Sequence, residues 1–433
     1  MKTRALPGFR DFYPSELALR SHIFRVWRLV AQRYGFEEYD GPPLEPLELY
    51  TAKSGDEIVR QLYNFTDKGD REVALRPEMT PTLARMVAAK AGELRKPIRW
   101  FSVPQLFRYE RQQRGRLREH YQLNCDLIGE SGPLADAEII ALAIDVMRAF
   151  GLGPADVRVR LSDRRVLTAV LRQRGVPESG LVAAFDFIDK VERLRREAIE
   201  EISSRPQSFN PATVHDLEQV SRVRGWEMLN AELSRSPEAQ KAAEPLRATC
   251  AALDAMGLGG FVEIDLTIVR GLAYYTGVVF ELFDAAKTLR AICGGGRYDN
   301  LLRELGGVDL PALGFGMGDV VLGELLKEKA SAPPEVASSD VFLAFITEND
   351  LPALLSLAHR LRDEGLRVEY PLGPQAVGKQ MKLADARHAR LAIVIGPDER
   401  AMGKLVLRDL RSGTQEIVNE STVIDTIKAR IHG

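Results

Sequence analysis

Between residues 108 and 118 the stretch RYERQQRGRLR carries Arg108, Glu110, Arg111, Arg114, Arg116 and Arg118. Guanidinium groups are planar, permanently charged forks that grip phosphate or carboxylate oxygens in pairs, and a carboxylate such as Glu110 can hold them in place. A charged hairpin tip facing water has the same composition, so both readings stand on these residues alone. Directly after it, His120, Gln122, Asn124 and Asp126 share one parity and Tyr121, Leu123, Cys125 and Leu127 the other. Such alternation is that of a strand with one apolar face. The polar row belongs either to a half-exposed strand or to a polar pocket on a sheet; in the second case the arginines place an anion beside a small polar ligand.

A second set of chemical groups lies in TIVRGLAYYTGVVFEL, where Arg270 ends a strand-like run and Tyr274 and Tyr275 begin the next. An arginine at such a turn can reach across a sheet face, as an electrostatic clamp and not as a general acid, because it stays protonated. Packing tyrosines and a surface charge are the alternative. In CGGGRYDNLL the three glycines suggest close approach by a ligand or a cramped sheet crossing. ALGFGMGDVVL, residues 312–322, puts Gly314, Gly316 and Gly318 at alternate positions. Neither stretch has the order of a phosphate-binding P-loop or the spacing of a dinucleotide fold.

These groups need a scaffold. Apolar spacing predicts helices over Ser15–Tyr34 and Leu134–Phe150 and strands over Val157–Leu161, Val262–Val269 and Tyr274–Phe283. The prolines 42, 43 and 46 predict an extended edge segment or a contact with a second copy. Residues 163–258 read as helices and connectors, set into a block whose consecutive strands imply an α+β fold with a mainly antiparallel sheet and flanking helices. KEKASAPPEVASSD, residues 327–340, reads as a linker, and residues 341–433 as a small α/β domain.

The chain has 433 residues, enough for two or three domains. Its formal charge of -2 leaves recognition of an anion to local patches. Cys125, Cys250 and Cys293 are widely separated and the histidines never join them in metal-ligand spacing, so neither a disulfide framework nor a structural metal is expected. No signal-like or membrane-spanning run is seen, and a soluble cytoplasmic protein is the expectation.

Taken together and in this order, the motifs resemble those of the histidyl-tRNA synthetase family of class II aminoacyl-tRNA synthetases. PGFRDFYP resembles the opening signature, the segment around Pro42–Pro46 motif 1, and LRPEMT an amino-acid pocket segment. FRYERQQRGRLREHYQLNCDLIG resembles motif 2 with the strand beyond it, VRGLAYYTG and CGGGRYDNLL the histidine-specific motifs, and ALGFGMGDVVL motif 3. The resemblance implies a class II core in residues 1–162 and 259–326, a helical insertion at 163–258 that helps hold the tRNA acceptor stem, a linker at 327–340, and an anticodon-binding domain at 341–433. It implies activation of L-histidine by ATP to histidyl-adenylate and transfer to histidine tRNA, by a homodimer working on Mg2+-ATP with no dedicated protein metal site. Residue by residue, Arg108 binds the α-phosphate, Glu110 and Arg116 position ATP, and Arg270 is the catalytic arginine. Glu78, Thr80, Gln122, Asp126, Arg270, Tyr274, Tyr275 and Tyr298 surround the histidine.

Several positions depart from the family pattern. Asp126 stands where a glutamate is usual, Ala273 where an aspartate precedes the tyrosine pair, and Gln112 where motif 2 has proline. Val321 takes the place of the motif 3 arginine that meets the γ-phosphate, and Arg114 or a basic residue of the insertion is expected there instead. The motif 3 glycines are expected to form a tight passage from sheet to helix beneath the adenine end of ATP. In the C-terminal domain, Lys379, Lys382, Arg387, His388 and Arg390 are expected to form a basic helix side facing RNA. Two rivals remain: a non-catalytic regulatory subunit of ATP phosphoribosyltransferase, and a nucleic-acid-binding protein without catalysis.

Overall fold

A computed structural model describes residues 4–51, 59–111, 113–191, 211–269, 274–329 and 339–432. The chain forms two compact units, Met1–Ala332 and Pro333–Gly433. Strands of the first unit are, in chain order, β1 (Glu37–Glu38), β2 (Leu44–Pro46), β3 (Tyr63–Thr66), β4 (Glu72–Leu75), β5 (Ile98–Ser102), β6 (Gln105–Phe107), β7 (Glu119–Ile128), β8 (Val157–Asp163), β9 (Val262–Ile264), β10 (Val278–Asp284), β11 (Cys293–Arg297) and β12 (Ala312–Gly318).

A nine-stranded sheet runs β1-β5-β7-β12-β11-β10-β8-β9, with β6 paired to β7 off that path, while β2, β4 and β3 form a small sheet of their own. The outermost pairs, β1 with β5 and β8 with β9, are parallel; those between are antiparallel. Pro46 ends β2, an edge strand of the small sheet, where a missing backbone donor costs no ladder bond. One face of the sheet is apolar: Leu123, Cys125 and Leu127 join Trp27 of helix Pro14–Arg33 and Ile140 and Ile144 of helix Pro133–Ala149 in the main core. The fully buried Arg297 pins the latter helix to β11 through a 2.9 Å ion pair with Asp136. Helices from Arg164–Gln173 to Glu244–Ala255 add Leu167, Leu217, Leu229 and Leu246 to the same core. All three cysteines are buried and unbridged.

Two strands are shorter than their sequences predict. β9 stops at Ile264 because Asp265 turns back on its own chain, accepting from the Thr267 amide (2.9 Å) and hydroxyl (2.6 Å). β10 begins at Val278, not Tyr274: the Thr276 amide donates to the Arg297 carbonyl (2.8 Å), and its hydroxyl bonds across to the Asp299 turn. The tyrosine pair is therefore displayed from a turn.

The second unit holds β13 (Val341–Phe345), β14 (Val368–Glu369), β15 (Leu391–Ile395), β16 (Lys404–Asp409) and β17 (Gln415–Asn419), ordered β14-β13-β15-β16-β17. The first three are parallel and the last two antiparallel additions. Helix Val377–Ala386 is locked to β13 by buried Gln380, which accepts from the Phe345 amide (3.0 Å) and donates to its carbonyl (2.8 Å). Lys379 and Lys382 are exposed on that helix. Arg387 pairs with Glu369 at 3.3 Å and Arg390 donates to the Ile431 carbonyl, so the expected basic side is partly spent on the domain's own surface.

Candidate active site

Along β7 the polar row lies opposite the core face, and Asn124 and Asp126 are 6% and 4% exposed. This is not a half-exposed strand face, and His120 and Gln122 of the same row line a cleft. Room for it comes from β12, whose Gly314 is paired with Asp126. A Cβ on Gly314 would lie 2.2 Å from Asp126 Oδ1, and one on Gly316 2.6 Å from the Gln122 amide carbon, whereas one on Gly318 would meet nothing within 4 Å. The alternate glycines therefore clear a sheet face for two polar side chains. Only Gly318 marks the passage into the following helix, Asp319–Glu328, as its N-cap. In β11 the reason is steric too: a Cβ on Gly295 would sit 2.3 Å from the Gly314 carbonyl oxygen, and one on Gly296 2.6 Å from that of Val278.

The Tyr298 hydroxyl donates to Asp126 Oδ1. Burial raises the Asp126 carboxyl to about 7, and the tyrosine bond opposes that rise. Tyr39, which sequence reading passed over, is half-buried with its hydroxyl enclosed here, and that hydroxyl is pushed well up by burial and by the nearby Asp126. Tyr274 packs against the rings of Tyr275 and Tyr298, at 5.0 and 5.8 Å between centroids, and its hydroxyl donates to Glu78 at 3.4 Å. Glu78 is buried, and Thr80 starts helix Thr80–Ala89 two residues on. One carboxylate at each end of this tyrosine cluster can hold an ammonium and a ring N–H at once.

Farther along β7 opens a cleft of about 920 Å³, lined by Arg108, Glu110, Arg116 and Gln122 among others. Gln122 lies on the same strand and parity as Asp126. Arg108 donates through Nε to the Pro77 carbonyl (2.9 Å), which ties the basic hairpin to the segment carrying Glu78. Arg116 and Glu110 form an ion pair at 3.0 Å. His120 also lines the cleft, but burial, helped by Arg108 and Arg10, drives its imidazole down to about 3, so it is neutral at physiological pH and no proton carrier there.

The other arginines of the hairpin do different work. Arg118 packs over the Tyr109 ring at 4.1 Å and donates to the Glu110 carbonyl. Arg114 pairs with Glu324 (3.2 Å) and Glu328 (2.6 Å) on helix Asp319–Glu328 and is not among the residues lining the cleft. Arg270 and Ala273 lie outside the described residues, as does Gln112. Lining groups that sequence reading missed include Arg160, Thr267, Lys287 and Arg290. It also missed the network beneath the hairpin, where Arg10 joins Glu119 (2.6 Å) to Asp319 (2.9 Å), and Asp319 in turn accepts from the Tyr121 amide. The only signal for Arg10 was its place in PGFRDFYP.

A sequence model of the histidyl-tRNA synthetase family matches residues 8–319, and one of an anticodon-binding domain matches residues 340–430. The chain belongs to the histidyl-tRNA synthetase family. Within it, the histidine–tRNA ligase of Opitutus terrae is 46% identical over 435 residues, covering 97% of each chain. The chloroplastic/mitochondrial histidine–tRNA ligase of Arabidopsis thaliana is 40% identical, covering 94% of this chain and 83% of its own. The crystal structure of histidyl-tRNA synthetase from Nostoc sp. PCC 7120 superposes with a TM-score of 0.84 at 26% identity, covering 99% of this chain and all of that one. The α+β class II synthetase core and the C-terminal anticodon-binding domain are those of the family.

Proposed function

We infer that the protein is an ATP-dependent histidine–tRNA ligase: it activates L-histidine to histidyl-adenylate and transfers the histidyl group to the 3′-terminal ribose of histidine tRNA. The observation that carries this reading is the placement along β7 of a tyrosine cluster, with the carboxylates of Asp126 and Glu78 at its ends, next to a cleft lined by Arg108, Glu110, Arg116 and Gln122. Asp126 accepts the imidazole N–H of histidine, with Gln122, Tyr298 and Tyr275 around the ring. Glu78, with Thr80 and Tyr274, takes the ammonium.

The histidine carboxylate oxygen then attacks the α-phosphorus, the bond from that phosphorus to the β-phosphate's bridging oxygen breaks, and pyrophosphate leaves. Such a step needs alignment and positive charge more than a strong base. Arg108 supplies that charge at the α-phosphate, Arg116 held by Glu110 positions the nucleotide, and Arg270 carries the role its motif implies. In the second step the terminal ribose hydroxyl attacks the acyl carbon and AMP leaves, the hydroxyl's proton being released. Mg2+ would accompany ATP, and Glu110 and Glu281, carboxylates lining the cleft, would help hold it and offset the phosphate charge. The C-terminal unit reads the anticodon, the helices of residues 163–258 brace the acceptor stem, and the segment around Pro42–Pro46 joins two copies into a homodimer. No described helix is long and apolar enough to cross a membrane, and a cytoplasmic site of action belongs to the same reading.

ATP–pyrophosphate exchange measured with each of the twenty amino acids tests the reading. Exchange that depends on histidine is expected; none with any amino acid would leave a non-catalytic regulatory subunit as the better account. Asp126→Asn is expected to raise the KM for histidine about 10- to 100-fold, the worth of a charge-assisted hydrogen bond. Stability offers a second check with a definite sign. With its folded-state carboxyl raised to about 7, Asp126 stabilises the fold fully below the ordinary carboxyl range, and that contribution is lost as pH rises through about 7. The asparagine variant, compared with the parent in thermal unfolding, should therefore gain relative stability from about pH 5 to about pH 8.

A further inference from the structure

The polar strip has a direction. It begins at Asp126 beside Gly314, passes Gln122 over Gly316, and reaches Gly318, whose amide donates to the Ile292 carbonyl at 3.1 Å. Beyond that point the cleft wall is made by three separate pieces of chain: the hairpin tip at Gly115, the helix residue Val321, and the loop between β10 and β11. They are in close contact. A Cβ on Gly115 would lie 3.2 Å from Val321 Cγ2 and 3.6 Å from Arg290 Cδ. Val321 is apolar, and Arg114, the hairpin's tip arginine, is turned to Glu324 and Glu328.

The loop that brings Arg290 here is tied down by hydrogen bonds of its own. Buried Asp284 accepts from the amides of Thr288 and Leu289, each at 2.9 Å, and from the Thr288 hydroxyl at 3.0 Å, while the Ile292 amide returns to the Leu282 carbonyl. Arg290 Nη2 donates to the side-chain oxygen of Gln113, bridging the loop to the hairpin tip. Lys287, from the same loop, also lines the cleft. The Arg290 guanidinium is thus held on the cleft wall beside Gly115 and Val321. A triphosphate bound with its α-phosphorus near Arg108 and its outer phosphates toward Val321 would meet that guanidinium, and a guanidinium fork grips such oxygens in pairs.

We propose that Arg290 is an ATP-binding residue that contacts the β- and γ-phosphates, at the place where Val321 offers no charge. The proposal rests on the reading of the cleft as an ATP site. It assigns Arg290 to the phosphates that leave as pyrophosphate, not to adenine, the α-phosphate or histidine.

The test uses the full-length protein with Arg290→Ala, Arg290→Gln and Arg290→Lys, and reads two things. Direct binding of ATP and of AMP is measured by calorimetry, and KM values for ATP and for histidine by exchange. Arg290→Ala and Arg290→Gln should weaken ATP binding about 10- to 100-fold while leaving AMP binding, the KM for histidine and thermal unfolding unchanged; lysine should restore part of the loss. Unaltered ATP affinity overturns the proposal, and so does an equal loss for ATP and AMP, which is what a merely structural role of the loop would give. Failure of the ligase reading is separately visible: the parent would bind ATP but show no histidine-dependent exchange, and the ATP-against-AMP comparison would still decide the role of Arg290.

Discussion

An Arg108→Ala variant is expected to lose about 10²- to 10³-fold in the kcat of histidine-dependent ATP–pyrophosphate exchange, the usual cost of removing a preorganised donor aimed at developing charge. The side chain is half-buried and its Nε is committed to the Pro77 carbonyl at 2.9 Å, so the guanidinium is oriented before any ligand arrives. Folding should be little affected, because the hairpin keeps the backbone bond from the Arg108 amide to the Arg118 carbonyl and the Arg10–Glu119–Asp319 network below it. His120 remains neutral at pH 7 in the variant, since burial and not Arg108 is the main cause of its lowered pKa. A loss confined to KM for ATP, with kcat intact, would show that Arg108 binds substrate and transition state alike and would remove it from the chemical step.

Gly314→Ala is expected to combine a loss of stability of about 1–3 kcal/mol, typical of overpacking, with at least a tenfold rise in the KM for histidine. The added Cβ meets Asp126 Oδ1 at 2.2 Å and the Cys125 backbone oxygen at 2.6 Å, and the second of these belongs to the strand ladder and cannot swing aside. Either β12 shifts or Asp126 leaves Tyr298. Gly316→Ala meets only the mobile end of Gln122, so it should disturb histidine binding more than folding. Gly318→Ala meets nothing and should unfold within about 0.5 kcal/mol of the parent. Chemical denaturation of the three variants, beside exchange kinetics, checks the series; equal effects at Gly314 and Gly318 would mean that the alternate glycines serve a common backbone need and not the pocket.

Much of this site was legible in local order along the chain. The parity of residues 120–127 separates the core face from the pocket face because side chains alternate on a strand whatever its neighbours are. Apolar spacing likewise placed helix Pro14–Arg33 and helix Pro133–Ala149 within a residue or two of their bounds. The ordered set of motifs was enough to point to the family and to Glu78, Arg108, Gln122 and Asp126 as neighbours in one site.

What alternation could not supply is which strand lies alongside. Gly314 makes room for Asp126 only because register sets β12 against β7, and that pairing joins residues far apart in sequence. The same holds for charge. Arg114 and Arg290 are equivalent as isolated cations, yet Glu324 and Glu328 draw one outward while Gln113 and the Asp284 loop hold the other at the cleft. An ion pair depends on distances between segments that the chain brings together only on folding. The sequence by itself therefore determined the elements, their faces and the kinds of group available, whereas the tertiary structure alone decided which glycines make room for Asp126 and Gln122 and which arginines line the cleft.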